Sequence, residues 1–314
     1  MKKIKIALLA GGISGEREVS IKTGEQIVKA LDKNKYFVYQ YDPKTDLKQF
    51  FLDAYAKKFD LVIPALHGPF GEDGKLQGML DMLNIPYLFS GTLASALAMN
   101  KEKTKIIAKE VGLKIIPDID INRGERFDYQ QIRRKLGFPI VIKPAELGSS
   151  VGMSIAKTLK ELKAGFNKAF RHDKKIMLEK YIKGRELTVG IMGNEQKTKA
   201  LPVIEIIPKV ASWFDYRAKY EVGGSEEICP ARIPSRIKLK IQLDALKIFK
   251  AIGCRDLARA DFIWQGSNIY FLEINTIPGM TATSLVPQAA KAVGLNFTKF
   301  LDKLISNSLK NINK

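Results

Sequence analysis

Histidine is almost missing from this 314-residue chain: His67 and His172 are its only two. A metal centre built on several histidines is therefore excluded. The two cysteines, Cys229 and Cys254, lie far apart and form no CxxC pair. Neither a disulfide framework nor a zinc site is expected, and the usage fits a reducing cytoplasm. No stretch approaches the roughly 18 apolar residues of a membrane span. The opening "MKKIKIALLAGG" has a short apolar run broken by Lys5 and no small-residue cleavage site, so it reads as a first strand rather than a signal peptide. Internal repeats, low-complexity linkers, Arg-rich runs and aromatic-and-basic RNA motifs are all lacking.

What the chain does have is positive charge, a formal net of +19, together with 46% hydrophobic residues. The apolar content suffices for two or three packed domains. The charge raises nucleic-acid binding as a rival function. However, the excess is lysine scattered along helical segments, which is most often a solvated surface. Neither a nucleic-acid nor a membrane partner is expected, and a basic cleft would also attract ATP.

The first third alternates strand and helix patterns: "KIKIALLA" (3–10), "VSIKTGEQIVKAL" (19–31), "YFVYQYD" (36–42) and "DLVIPAL" (60–66). Such βαβ alternation implies a parallel sheet flanked by helices. Two loops, "AGGISGEREVS" and "LHGPFGEDG", follow its strands and should share the edge where ligands of such sheets sit. Next come a helix, "NKEKTKIIAKEVGL", closed by Gly112, and a strand–loop–strand unit, "FPIVIKPAELGSSVGMSIA". "IMLEKYI" and "ELTVGIM" are further strands broken at Gly184, and a long polar loop covers about 210–228.

"ARADFIW" and "NIYFLEIN" flank "QGSN", a hairpin turn. Centred on Ser267, the turn sets Asp261 opposite Glu273, with Asn275 and Arg259 on the same face. Two such close carboxylates repel unless a cation neutralises them. Hard oxygens beside a phosphate substrate are what Mg²⁺ takes, so this face is a candidate metal site. "VIKPAELGSSVGM" brings Lys143 to a small-residue loop able to cradle phosphate, although a solvated strand-end lysine reads equally well. In "MLEKYIKGRELTV", Glu179 and Glu186 are candidates for holding a base or ribose, with Tyr181 and Ile182 as flat apolar surface; an amphipathic edge strand is as good a reading. Glu16 either faces a ligand amine or opens the following helix, and His67 has the ordinary fate of a satisfied structural histidine as its competing reading. Lys219 and Tyr220 lie in a lid-like loop. Gly279 and Ser284 are candidate donors to an oxyanion or carboxylate.

Seven motifs in order, "GGISGEREVS", "ALHGPFGEDGKLQGML", "SGTLASALAMNK", "GSSVGMS", "FDYRAKY", "ARADF" and "LEINTIPGMTATSLVP", resemble bacterial D-alanine–D-alanine ligases of the ATP-grasp superfamily, colinearly from about Ile4 to Leu309. The resemblance implies an α/β, ATP-grasp fold. Its parts would be an N-terminal parallel-sheet domain (1–98), a central ATP-grasp subdomain (99–184) and a C-terminal subdomain with omega loop and metal site (185–314). It implies catalytic roles for Glu16, Ser149, Tyr220, Arg259 and Gly279, and substrate binding by His67, Ser284 and Leu285. ATP would be bound by Lys101, Lys143, Glu179, Tyr181, Ile182, Glu186 and Lys219, and two Mg²⁺ (or Mn²⁺) ions by Asp261, Glu273 and Asn275. A cytoplasmic homodimer making a peptidoglycan precursor is implied too. Tyrosine at 220 goes with D-alanine as second substrate, phenylalanine with D-lactate. Leu147, where many members carry a charge, and Ile277, where some have serine, depart from the pattern. The alternatives on the same scaffold are another carboxylate–amine ligase or, with a hydroxyl in place of the amine, a D-Ala–D-lactate ligase.

Overall fold

In the computed structural model, residues 2–148, 151–194, 197–209 and 223–312 are described. Three sheets organise them. The first is parallel, with Ile4–Leu9 between Tyr36–Tyr41 and Leu61–Pro64. Helices Arg17–Ala30 and Leu47–Tyr55 make its crossovers, as the alternating pattern predicts. All four residues of Leu61–Pro64 are buried, which is why that strand is a continuous apolar run rather than an alternating one. The loops after Leu9 and Pro64 emerge on one edge, and Ser14 Oγ donates to the His67 carbonyl at 2.7 Å across them.

The second sheet has four antiparallel strands in the order Asp118–Asn122, Lys175–Lys180, Ile140–Pro144, Ser154–Ala156. Helices Tyr129–Leu136 and Leu159–Ala169 cover it through Ile132, Leu162 and Phe166. Asp120, on its first strand, has one buried carboxyl oxygen without a partner. Burial, with the nearby charges of Asp118 and Glu102, pushes its carboxyl from 3.8 up to about 6. The folded protein therefore holds this proton more tightly than the unfolded chain does, and stability falls as pH rises from about 4 to about 6. Asp120→Asn is expected to stabilise the protein by roughly 1 kcal/mol at pH 7, where solvent reaching the half-buried group screens part of the effect, and by almost nothing at pH 4. Thermal melts at the two pH values check this; equal shifts at both would contradict it.

The third sheet runs Ser225–Ile228, Ile204–Pro208, Arg185–Met192, Leu257–Gln265, Asn268–Asn275, Lys114–Ile115, with Lys199–Ala200 beside Arg185–Met192. It is antiparallel except for its last pair. Helix Ser235–Ile252 packs Ile241, Ala245, Ile248 and Phe249 on it. "IMLEKYI" and "ELTVGIM" thus belong to different sheets, and the connector between them passes close to the hairpin. A Cβ on Gly184 would lie 2.6 Å from the Trp264 carbonyl, so only glycine fits the crossing.

The closing helix Phe297–Ile312 returns to the first sheet, where Phe300, Leu301, Leu304 and Ile305 join Ile6, Leu8 and Ile63 in one core. Asp256 adds a polar tie: its carboxylate accepts from the Phe89 backbone N–H at 3.0 Å and from Asn194 Nδ2 at 3.0 Å. No helix among the described residues is long and apolar enough to cross a membrane.

Candidate active site

The hairpin register is reached by two compensating steps. Gln265 pairs with Asn268, so the turn is the two-residue Gly266–Ser267, half a residue short of a turn centred on Ser267. Continued unbroken, that register would put Leu272 opposite Asp261. A β-bulge between Asp261 and Phe262 restores Asp261 opposite Glu273 and Arg259 opposite Asn275. All four side chains then share one face, as the sequence reading expects.

Charge on that face is neutralised by the protein itself. Arg259 donates to both oxygens of Asp261, from Nε at 2.9 Å and Nη2 at 2.8 Å. Thr188 Oγ1 donates to Asp261 at 2.5 Å and Asn275 Nδ2 at 3.2 Å. The Lys101 ammonium stands 3.9 Å from Glu273 and donates to the Leu147 carbonyl at 2.6 Å. Among the described residues no three acidic, histidine or cysteine side chains gather as a metal-holding group.

Two cavities meet here. One, of about 420 Å³, lies between the second and third sheets. Val141, Met153 and Ile155 form one wall and Ile206, Phe262 and Leu272 another, a slot suited to a flat ring. Lys101, Lys143, Asp261 and Glu273 gather in its lining, and Glu179, Tyr181, Ile182 and Glu186 border it as well. The other, of about 520 Å³, is lined by Glu16, His67, Arg259, Asn275, Gly279, Ser284 and Leu285, among others. Glu273 and Gly148 border both. Every candidate residue that is described therefore lines one cavity or the other. Ser149, Lys219 and Tyr220 lie outside the described residues.

Glu179 has both oxygens engaged: Lys105 reaches one and Lys143 the other, each at 2.7 Å. Its burial pushes the carboxyl up, but the two ammonium charges outweigh that and hold it at about 2. In the second cavity, Glu16 is buried and its N–H donates to Ser14 Oγ at 3.2 Å. The His67 ring meets Thr23 Oγ1 at 3.0 Å and Glu72 at 3.4 Å, as a satisfied structural histidine would, and it also borders the cavity. Burial pushes the Glu72 carboxyl up against the opposing influence of His67. Ser284 precedes helix Leu285–Ala292, and its Oγ accepts from the Thr281 N–H at 3.1 Å. The open N–H groups of that helix's first turn favour an anion.

Two linked pockets, one a hydrophobic slot with lysines and the other polar with a buried carboxylate and an anion-favouring helix start, can bring a nucleotide's phosphates up to a small zwitterion. The family models described as D-ala D-ala ligase N-terminus and C-terminus match residues 39–90 and 107–306. The chain belongs to the D-Ala–D-Ala ligase family. A "D-alanine--D-alanine ligase" of Syntrophobacter fumaroxidans is 47% identical over 98% of this chain and 99% of its own. The solved ligase of Bacillus anthracis complexed with ATP superposes with a TM-score of 0.85 at 33% identity, covering 99% of both chains. The VanG D-Ala:D-Ser ligase of Enterococcus faecalis gives 0.84 at 31%, covering 98% of this chain and 100% of that one. The fold of this D-Ala–D-Ala ligase family member is thus the ATP-grasp fold.

Three residues at the site escape the sequence reading. Thr188 is the one with a visible signal, a polar residue between Leu187 and Val189 in a buried strand. Glu72 sits inside a loop already singled out, but its pairing with His67 depends on how the loop folds back. Lys105 repeats Lys101 one helical turn later, and nothing in its own neighbourhood shows that it is buried.

Proposed function

We propose that the protein joins two D-alanines at the expense of ATP, giving D-Ala-D-Ala, ADP and phosphate. The observation that carries this is the shared wall of Glu273 and Gly148 between the slot and the polar pocket. In this reading a substrate carboxylate in one cavity meets the terminal phosphate in the other across that wall. The carboxylate oxygen of the first D-alanine attacks the γ-phosphorus, the bond to the β-bridging oxygen breaks, and ADP leaves. The amine of the second D-alanine then attacks the acyl carbon, and phosphate departs with that carboxylate oxygen. Positioning and charge stabilisation carry such transfers, with little covalent help from the protein.

In this reading Glu16 holds the first ammonium, and His67, supported by Thr23 and Glu72, shapes the wall beside it. Lys101, Lys143 and Lys219 meet phosphates, while Glu179, Tyr181, Ile182 and Glu186 receive the nucleoside. Arg259 and the Gly279 N–H face the tetrahedral oxyanion, and Ser284 and Leu285 take the second carboxylate. Ser149 and Tyr220 close the site. Two carboxylates and an amide oxygen are an apt set for Mg²⁺, which needs only one or two protein carboxylates beside substrate phosphates, so Asp261, Glu273 and Asn275 would hold it. Bound there, Mg²⁺ (or Mn²⁺) would neutralise charge on the transferring phosphoryl group.

We read the chain as three units, 1–98, 99–184 and 185–314. In support, the first two sheets fall wholly within the first two ranges, while Lys114–Ile115 crosses to the third sheet. The reading also places the protein in the cytoplasm, supplying a peptidoglycan precursor as a homodimer. Exposed Phe51, Leu52 and Tyr55 on one helix of the first unit offer a face for self-association.

The test is phosphate release by purified protein with ATP and Mg²⁺, supplied with D-alanine, D-serine, D-lactate or L-alanine, and product masses read in parallel. D-Alanine-dependent release with a D-alanyl dipeptide is expected. D-Alanine-dependent release with only a mixed product, when D-lactate or D-serine is added, would reassign the second substrate. Silence with all four from folded protein that binds ATP would point to a different carboxylate–amine ligase.

Gly68 gives a finer check. Its φ is +73° and a Cβ would lie 2.7 Å from Glu16 Oε2. Gly68→Ala should therefore displace the Glu16 carboxylate and raise the KM for D-alanine roughly tenfold or more, the size of one charged hydrogen bond. An unchanged KM would show that Glu16 does not hold the substrate.

A further inference from the structure

Lys105 lies on helix Lys101–Glu110, one turn beyond Lys101, so both side chains lean the same way. Lys101 borders the nucleotide slot, whereas Lys105 sits behind it and is only 2% exposed. Its ammonium donates to three protein oxygens, the Ile116 carbonyl at 3.0 Å, Asp118 at 2.9 Å and Glu179 at 2.7 Å. Those three bonds use its three protons, leaving none for a phosphate. Lys143 differs: it borders the slot, and its ammonium pairs with the other Glu179 oxygen at 2.7 Å.

Glu179 is thus a buried carboxylate shared between a lysine that faces the nucleotide and one that does not. Were Lys143 its sole counter-ion, turning that lysine toward a phosphate would strip a buried charge of its partner, which is strongly unfavourable. With Lys105 fixed behind, Lys143 can exchange Glu179 for a phosphate oxygen and the carboxylate stays paired. We propose that Lys105 is a positioning residue for the nucleotide, supplying the counter-charge that frees Lys143 to turn to the polyphosphate. The proposal rests on the ATP-site reading above.

Calorimetric titration of Mg-ATP into four proteins tests it: wild type, K105M, E179Q and K105M/E179Q, with thermal melts to confirm folding. K105M is expected to weaken binding on the order of thirty-fold in the presence of Glu179, the consequence of leaving a buried charge short of a partner. In the E179Q background the same substitution should change the Kd by less than about threefold, because a neutral side chain releases Lys143 unaided. Equal losses in both backgrounds would overturn the proposal and leave Lys105 a purely structural residue. Should K105M not fold, Lys105→Gln replaces it in the cycle. It keeps a donor toward Glu179 without the charge, so the same loss is expected and retained affinity would overturn the proposal. Wild-type protein that fails to bind Mg-ATP would overturn the site reading as well, whereas normal wild-type binding with additive variants would overturn only the role of Lys105.

Discussion

Arg259→Met is expected to slow D-alanyl dipeptide formation by about 10²- to 10³-fold while the protein stays folded, the cost, in the proposed mechanism, of removing one donor from a developing oxyanion. The guanidinium is held rigidly by its two bonds to Asp261 and borders the polar cavity together with Gly279. In the proposed mechanism negative charge develops beside this guanidinium, and a charge already fixed there needs no reorganisation during the reaction. The substitution has a second effect on the same face. Asp261 would keep Thr188 and Asn275 as hydrogen-bond donors but lose its only fork-like cationic partner among the described residues, with Glu273 directly opposite. Arg259→Lys retains the charge but not the planar fork, so its activity should fall between the two. Steady-state rates with saturating ATP decide the matter. A methionine variant within threefold of wild type would remove Arg259 from the chemistry.

Glu16→Gln is the other large effect. Glu16 is buried at the loop junction, close enough to Gly68 and Gly148 that a Cβ on either would meet its Oε2, at 2.7 and 3.6 Å. A substrate ammonium entering that pocket gives up its water and needs the carboxylate's charge in return. Truncating one member of a buried, hydrogen-bonded charge pair costs about 2–5 kcal/mol, so kcat/KM for D-alanine should fall from roughly thirty-fold to a few thousand-fold. Glutamine is isosteric, so melting should shift little and the loss should be visible at subsaturating D-alanine. An unchanged kcat/KM would assign the first ammonium to another carboxylate of the cavity, with Glu72 the nearest alternative.

Much of this site is legible in the sequence because its residues sit on regular strands or directly after them. Alternation along "YFLEIN" is enough to place Glu273 and Asn275 on one face. The pairing with Asp261 is legible too, though by a different route. A turn centred on Ser267 and the observed two-residue turn plus a bulge arrive at the same partner, and a bulge leaves no mark in residue type. Contacts between segments remote in sequence are a different matter. Lys105 is drawn inward by Asp118 and Glu179, the latter 74 residues away, and a lysine on an amphipathic helix reads as solvated until those partners are known. Glu179 shows the same limit, since sequence offers it to a nucleoside but not to two lysines. The return of helix Phe297–Ile312 to the first sheet likewise follows from which apolar faces remain uncovered, a property of the assembled sheets rather than of any segment. The activity itself is legible through the seven colinear motifs, because residue patterns alone leave Lys143 and the 179–186 connector open to ordinary structural readings.

The most direct measurement is the fate of oxygen from the substrate carboxylate. Protein, ATP and Mg²⁺ are incubated with D-alanine labelled with ¹⁸O in both carboxylate oxygens, and the released phosphate is analysed by mass spectrometry. Attack of the carboxylate on the γ-phosphorus transfers one of those oxygens to phosphorus, so each phosphate released with a dipeptide should carry a single ¹⁸O. Dipeptide formation with unlabelled phosphate would contradict an acyl phosphate intermediate, and with it the proposed transfer between the two cavities that meet at Glu273.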